Sequence, residues 1–411
     1  MNMDTSFSDI PNQFQNNGNR HKTFFEAIIL RWLRKIERGH FTIEFPSGAR
    51  YILQGLEPEP VADLKIHDFR TLYRLLAGGD TGFAEGYMAG EWETSDLAAL
   101  LRFGTANEDA LSGTLGKHWV MNVVERLRHG LRANTLNGSR RNIAAHYDLG
   151  NSFYGQWLDE TMTYSSAIFE DVSESMVVAQ RRKYMRLAEK LELTKGDCVL
   201  EIGCGWGGFA EIAAAEFGCK VVCLTLSNEQ AAFARERMVR KGLSHLVEIR
   251  IQDYRDVEGS FDKIASIEMF EAVGEKYWPT YLKALHHRLK PGGRAGLQII
   301  TIEDDTFETY RRNPDFIQRY IFPGGMLPGK TRLAAAIDTA ALKITDSYYF
   351  GASYAETLRR WDEDFTDAWP KIEALGFDQR FYLMWHYYLC YCMIGFEHGT
   401  IDVGQFVIEH K

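Results

Sequence analysis

Residues 198–217 read CVLEIGCGWGGFAEIAAAEF. The opening CVLEIG suits a buried strand, because a strand covered on both faces reads as a near-continuous apolar run. Gly203, Gly205 and Gly207 follow at alternate positions and let backbone approach a ligand closely. A helix then runs through Phe217. The same strand-then-helix order recurs downstream. KVVCLTLS (220–227) predicts a second strand and a helix begins at Asn228. LVEIRIQDY (246–254) predicts a third strand, and FDKIASIEMF (261–270) a fourth. RAGLQIITI (294–302) predicts a fifth after the turn LKPGG. A further helix is expected over 176–193. Strands alternating with helices imply an α/β fold with a doubly wound parallel sheet.

The upstream part is different. Residues 1–22 are polar and Asn/Gln-rich and are expected to be disordered. In residues 23–39, Phe25, Ile29, Trp32 and Ile36 recur at helical spacing with Arg31, Arg34 and Lys35 between them. Such a helix either packs on its own domain or lies at a membrane interface. Residues 40–55 alternate around a Pro-Ser-Gly turn and predict a hairpin. Residues 62–105 suggest two helices with GDTGFAEGYMAGEW between them. Residues 23–105 thus form a small α+β domain. A connector over 106–145 is expected to follow, with the α/β domain over 146–411. From Lys117 to Arg141 the connector carries six basic residues and one acid, a local charge of +5 that can attract anionic headgroups or simply be a solvated helix face.

The bulk numbers limit the function. With 411 residues and 45% apolar residues, two or three domains and a sizeable core are expected. A net charge of −9 argues against nucleic acid as a partner. None of the six cysteines forms a C-x-x-C pair, so no metal is expected. No run of about 18 apolar residues exists. A cytoplasmic protein is the expectation.

The G-x-G-x-G spacing of LEIGCGWGG fits a dinucleotide cradle poorly, and no Lys-Ser/Thr follows to make a P-loop. Glu201, just before the glycines, suits a nucleoside with no phosphate to repel. The loop resembles those that bind S-adenosylmethionine. The ligand of such a sheet lies beyond the carboxyl ends of its strands. That places Thr225, Ser227 and Gln230, then Gln252, Asp253 and Tyr254, beside it. Asp253 could accept from an adenine amine. Ordinary helix capping is the alternative for Ser227.

Longer stretches carry a more specific resemblance: HYDLGNSFYGQWLDETMTYSSAIFE (146–170), VLEIGCGWGGFA (199–210), LTLSNEQ (224–230), QDYRD (252–256), FDKIASIEMFEAVG (261–274), YIFPGG (320–325) and GASYAETLRRW (351–361). The chain resembles cyclopropane fatty acid synthases, which use S-adenosylmethionine on unsaturated acyl chains of membrane phospholipids. The resemblance implies a class I methyltransferase-like sheet with a smaller N-terminal domain. It also implies that Tyr164 and Ser165 hold the methionine part of the cofactor with the Gly203–Gly207 loop. Glu271 and Tyr354 would line the reaction centre, and insertions near 305–355 would cover the acyl chain. A peripheral position at the inner membrane surface and a homodimer are further implications.

Methyl transfer to an alkene leaves a carbocation, and a base must then take a proton. In the typical cyclopropane enzymes that base is a bound bicarbonate, held by a Cys, a Glu, a His and a Tyr. Here the thiol position is Ser166, one His position is Ala272 and the other is Gln298. Glu271 and Tyr354 remain. The expectation is weakened bicarbonate binding and a methyl branch instead of a ring. The alternative is a cyclopropane synthase in which Ser166 and Gln298 still hold the anion. An amine N-methyltransferase and a non-catalytic lipid-binding protein are the readings from other classes.

Overall fold

The computed structural model describes residues 15–16, 23–112 and 149–411. It divides into two compact units, Met1–Met121 and Asn122–Lys411. Most of the 1–22 tail, the basic residues from Lys117 to Arg141, and His146 lie outside the described residues.

The first unit is a five-stranded sheet with helices. Its strands are β1 (Gln15–Asn16), β2 (Arg38–Glu44), β3 (Arg50–Gln54), β4 (Glu57–Ile66) and β5 (Trp92–Glu93), in the order β1-β3-β2-β4-β5. The expected hairpin is β2–β3, antiparallel with Phe41 opposite Leu53. The helix Phe24–Leu33 starts on a capping box between Thr23 and Glu26. It buries Ile29, Leu30 and Leu33, while Phe24, Phe25 and Ile28 are exposed. One expectation needs correction. The stretch GDTGFAEGYM is not a link between helices; it is the second half of the helix Arg70–Met88, which kinks at Gly79 (φ 54°). The kink leaves Ala84, Tyr87 and Met88 buried, and that apolar face holds the second half in place.

The second unit is the α/β domain. β6 (Cys198–Ile202), β7 (Lys220–Thr225), β8 (Val247–Ile251), β9 (Phe261–Ile267) and β10 (Leu289–Ile302) are mutually parallel. β11 (Leu342–Tyr349) and β12 (Ile401–His410) complete the order β11-β12-β10-β9-β6-β7-β8. β12 runs antiparallel to both neighbours, so the sheet is mixed and not wholly parallel. Helices cover both faces. Val199 belongs to one apolar cluster and its neighbour Leu200 to the other, as strand alternation requires. The aromatic stretch FYLMWHYYLCYCMIGF (381–396) lies in the helix Gln379–His398, capped by Asp378 and ended by Gly399 in the left-handed region. It packs against the helix Gly351–Ala374, with His386 Nδ1 2.6 Å from Asp362 Oδ1 between them. Cys390 lies beside this pair, and its thiol completes the one His/Cys/carboxylate group of metal-binding spacing among the described residues.

Candidate active site

A cavity lies beyond the carboxyl ends of β6, β7, β8 and β9. The glycine loop forms its floor. Gly205 (φ 51°) has open space where a side chain would stand, so the loop is a cradle that a Cβ would begin to fill. Gly203 (φ 84°) is needed for a different reason: a Cβ there would lie 2.8 Å from Met269 Cγ, on the loop after β9.

The cavity wall gathers most of the residues assigned to the cofactor. Tyr164, Ser165, Glu201, Gly203, Gly205, Thr225, Gln230, Gln252, Asp253 and Tyr254 all line it. Gly207 and Ser227 are not on the wall; Ser227 caps the helix Asn228–Arg240 by accepting from the Gln230 N–H. Thr225 Oγ1 donates to Gln230 Oε1 at 2.8 Å. Asp253 is held by Arg255, which gives its carboxylate hydrogen bonds of 2.7 and 2.8 Å. Burial pushes the Glu201 carboxyl up to about 8. Tyr164 stands among aromatic rings, with Tyr154 and Trp361 each 5.2 Å away, and its hydroxyl meets that of Tyr388 at 2.8 Å. A cationic sulfonium suits a cavity with aromatic walls. The donor set, the glycine cradle and the ring cluster therefore fit S-adenosylmethionine.

One end of the cavity centres on Glu268, a residue that no sequence pattern singles out. Glu268, just after β9, faces the cavity. Its Oε1 accepts from the Ser166 backbone N–H (2.9 Å) and from Gln298 Nε2 (2.7 Å). Its Oε2 accepts from the Tyr354 hydroxyl (2.7 Å). Three of the positions singled out for catalysis thus converge on this one carboxylate. Ser166 contributes its backbone; its hydroxyl is turned to the Ala167 carbonyl. Burial pushes the Glu268 carboxyl above its usual range, against the pull of Lys183, Tyr354, Ser166 and Gln298. The Tyr354 phenol is held well above its own range by burial first and Glu268 second, so it stays a donor.

Glu271 sits one turn further on. Its Oε1 accepts from the Ile300 N–H at 2.5 Å, and its Oε2 is buried with no hydrogen-bond partner. Burial, then the charge of Glu268, pushes it up to about 8, so it is neutral at neutral pH. Its backbone carbonyl accepts from Met326, which docks the 317–328 segment onto this end of the site. Ala272 lines the cavity.

Lys183 is held next to Ser165 and in the field of Glu268. Its ammonium is fully buried, donates to Ser165 Oγ at 2.6 Å, and is lowered to about 7 by burial against the charges of Glu268, Asp159 and Glu201. In the sequence it is one basic residue in QRRKYMR, and nothing in the spacing separates it from Arg181, Arg182 and Arg186.

A sequence family described as mycolic acid cyclopropane synthetase matches residues 135–406. The chain is 40% identical to the tuberculostearic acid methyltransferase UfaA1 of Mycobacterium tuberculosis, over 80% of this chain and 79% of that protein. It is 36% identical to the cyclopropane-fatty-acyl-phospholipid synthase of Escherichia coli, over 89% of this chain and 92% of that one. A crystal structure of the mycolic acid cyclopropane synthase CmaA1 complexed with SAH and CTAB superposes with a TM-score of 0.63 and 30% identity, covering 66% of this chain and 98% of that one. With this match over most of its length, a shared fold and a cavity built for a sulfonium donor, the chain belongs to the cyclopropane fatty acid synthase family of S-adenosylmethionine-dependent methyltransferases.

Proposed function

We propose that this methyltransferase acts on the double bond of unsaturated fatty acyl chains of phospholipids and leaves a methyl branch, not a cyclopropane ring. The observation that carries this reading is the state of the positions that would hold a bicarbonate. Ser166 turns its hydroxyl away, Ala272 offers a methyl group, and Gln298 has both ends of its amide engaged by protein. These residues do not fit a bound bicarbonate. The 40% identity to a tuberculostearic acid methyltransferase supports the same direction. When bound, S-adenosylmethionine supplies an electrophilic methyl group. The protein's part is to hold the alkene behind that methyl in a cavity lined by Tyr164, Tyr184, Trp206 and Tyr254. Tyr164 lines the cavity, backed by the ring of Trp361, and its face would stabilise developing positive charge.

The test is incubation with unsaturated phospholipid vesicles and S-adenosylmethionine, followed by NMR of the modified chain. A methyl branch is expected; upfield cyclopropane protons would establish the ring-forming alternative.

The enzyme meets its substrate at the membrane surface, on the inner face of the cytoplasmic membrane, and works as a homodimer. No helix among the described residues is long and apolar enough to cross a membrane. Support for surface contact comes from the helix Phe24–Leu33, where Phe24 is 75% exposed beside exposed Arg31, Arg34 and Lys35. Phe24→Ser with Ile28→Ser should lower co-sedimentation with anionic vesicles. Light scattering reads the dimer.

A further inference from the structure

Resting on that reading of the reaction, we propose that the Glu268 carboxylate is the proton acceptor, built into the chain where related enzymes would hold a separate anion. Four observations carry it. The carboxylate faces the cavity that the glycine loop forms. It gathers three donors, from Tyr354, Gln298 and Ser166, which is the kind of cage a small oxyanion would need.

The donors are also fixed in direction. Arg186 can only donate, so Gln405 Oε1 accepts from it at 2.8 Å. Gln405 Nε2 must then donate to Gln298 Oε1 at 3.1 Å. That leaves Gln298 Nε2 to donate to Glu268. Gln298 and Gln405 lie directly opposite each other on β10 and β12, so the sheet register itself sets this relay. A chain of donors that begins at a guanidinium favours the ionised acceptor at its end.

The fourth observation is backbone strain. Glu268 has φ 50°, a left-handed conformation that a residue with a long side chain adopts only under strain. The strain turns its carboxylate toward Tyr354 and the cavity. Burial and the nearby Lys183 act on it in opposite senses, which leaves a carboxylate more basic than an exposed one.

The alkene π pair forms a C–C bond to the sulfonium methyl. The C–S bond breaks with its electron pair going to sulfur, which becomes a neutral thioether. The other alkene carbon becomes a carbocation. Glu268 takes a proton from the carbon beside it, and that C–H pair becomes the new double bond. The proton then leaves Glu268 for solvent.

The experiment measures methyl transfer from S-adenosylmethionine to dioleoyl-phosphatidylglycerol vesicles, in buffer freed of carbon dioxide and in buffer with added bicarbonate. Glu268→Gly suits the local backbone, since glycine adopts φ 50° without strain. Wild-type turnover should be the same in both buffers. Glu268→Gly and Glu268→Gln should lose about 10²–10⁴-fold in turnover. Both should keep S-adenosylmethionine binding by calorimetry. Bicarbonate or formate should restore Glu268→Gly in proportion to its concentration. Wild-type turnover that collapses without bicarbonate, or Glu268→Gln at the wild-type rate, overturns the assignment. A ring product formed at a bicarbonate-independent rate overturns the branching reading alone and leaves Glu268 in place. No transfer at all by wild type overturns both.

Discussion

Tyr354 donates its hydroxyl to Glu268 at 2.7 Å, across 86 residues of chain, while Glu271 receives only the backbone N–H of Ile300. Two carboxyls three residues apart thus have different surroundings. One is caged by donors and one is buried as a neutral acid.

Tyr354→Phe removes one donor from the caged carboxylate and leaves the ring. A hydrogen bond to a charged group contributes about 1.5–3 kcal/mol, so kcat should fall by about 10- to 100-fold. The affinity for S-adenosylmethionine should not change. Losing a donor to the ionised form raises the carboxyl pKa further, so the acid limb of the kcat–pH profile should move to higher pH. An unmoved limb would show that Tyr354 does not act through Glu268.

Gln405→Leu tests the relay from Arg186. It leaves Gln298 Oε1 buried without its partner, which should cost about 1–3 kcal/mol in urea unfolding. It also frees the Gln298 amide to turn over, so kcat should drop while KM for the lipid stays put. Combined with Glu268→Gln, the loss in kcat should be far from additive, because both changes strike one chain of hydrogen bonds.

Gly205→Ala tests the cradle. Gly205 (φ 51°) and Gly242 (φ 69°) both sit in the left-handed region with open space at the Cβ position, but only Gly205 lines the cavity. The two alanine variants should lose similar stability, about 1 kcal/mol. Only Gly205→Ala should weaken S-adenosylmethionine binding in calorimetry. Equal binding by both variants would remove the loop from the cofactor site.

Glu271→Gln tests the neutral acid. Its carboxyl is pushed from the ordinary 4.5 to about 8 by burial. Between those values the folded chain keeps a proton that the unfolded chain has released, so stability falls as pH rises through this window. Glutamine keeps the shape and cannot ionise. The variant should therefore gain on wild type between about pH 5 and about pH 8, by a few kcal/mol at most, since each pKa unit is about 1.4 kcal/mol. Parallel melting curves across that range would place the Glu271 pKa back near its ordinary value.

The sequence by itself determined the parts that depend on local pattern. CVLEIG followed by alternate glycines specifies a strand, a tight turn and a helix within 20 residues, because periodicity and glycine's conformational freedom act over short spans. The methyl donor and most of the cavity wall follow from that unit and the strands after it, since ligands of such sheets gather at strand ends, and the family follows from longer motifs such as 146–170 and 261–274. The tertiary structure alone decided the chemistry at the far end. Glu268 reads in sequence as the end of an apolar strand, and Lys183 as one basic residue in a basic run. Their surroundings arise from burial and from partners far away in the chain: Tyr354 lies 86 residues from Glu268 and Ser166 102, and Gln298 is itself held by Gln405, 107 residues beyond it. Desolvation and hydrogen bonding are set by what the fold packs around a group, and neither leaves a period in the sequence.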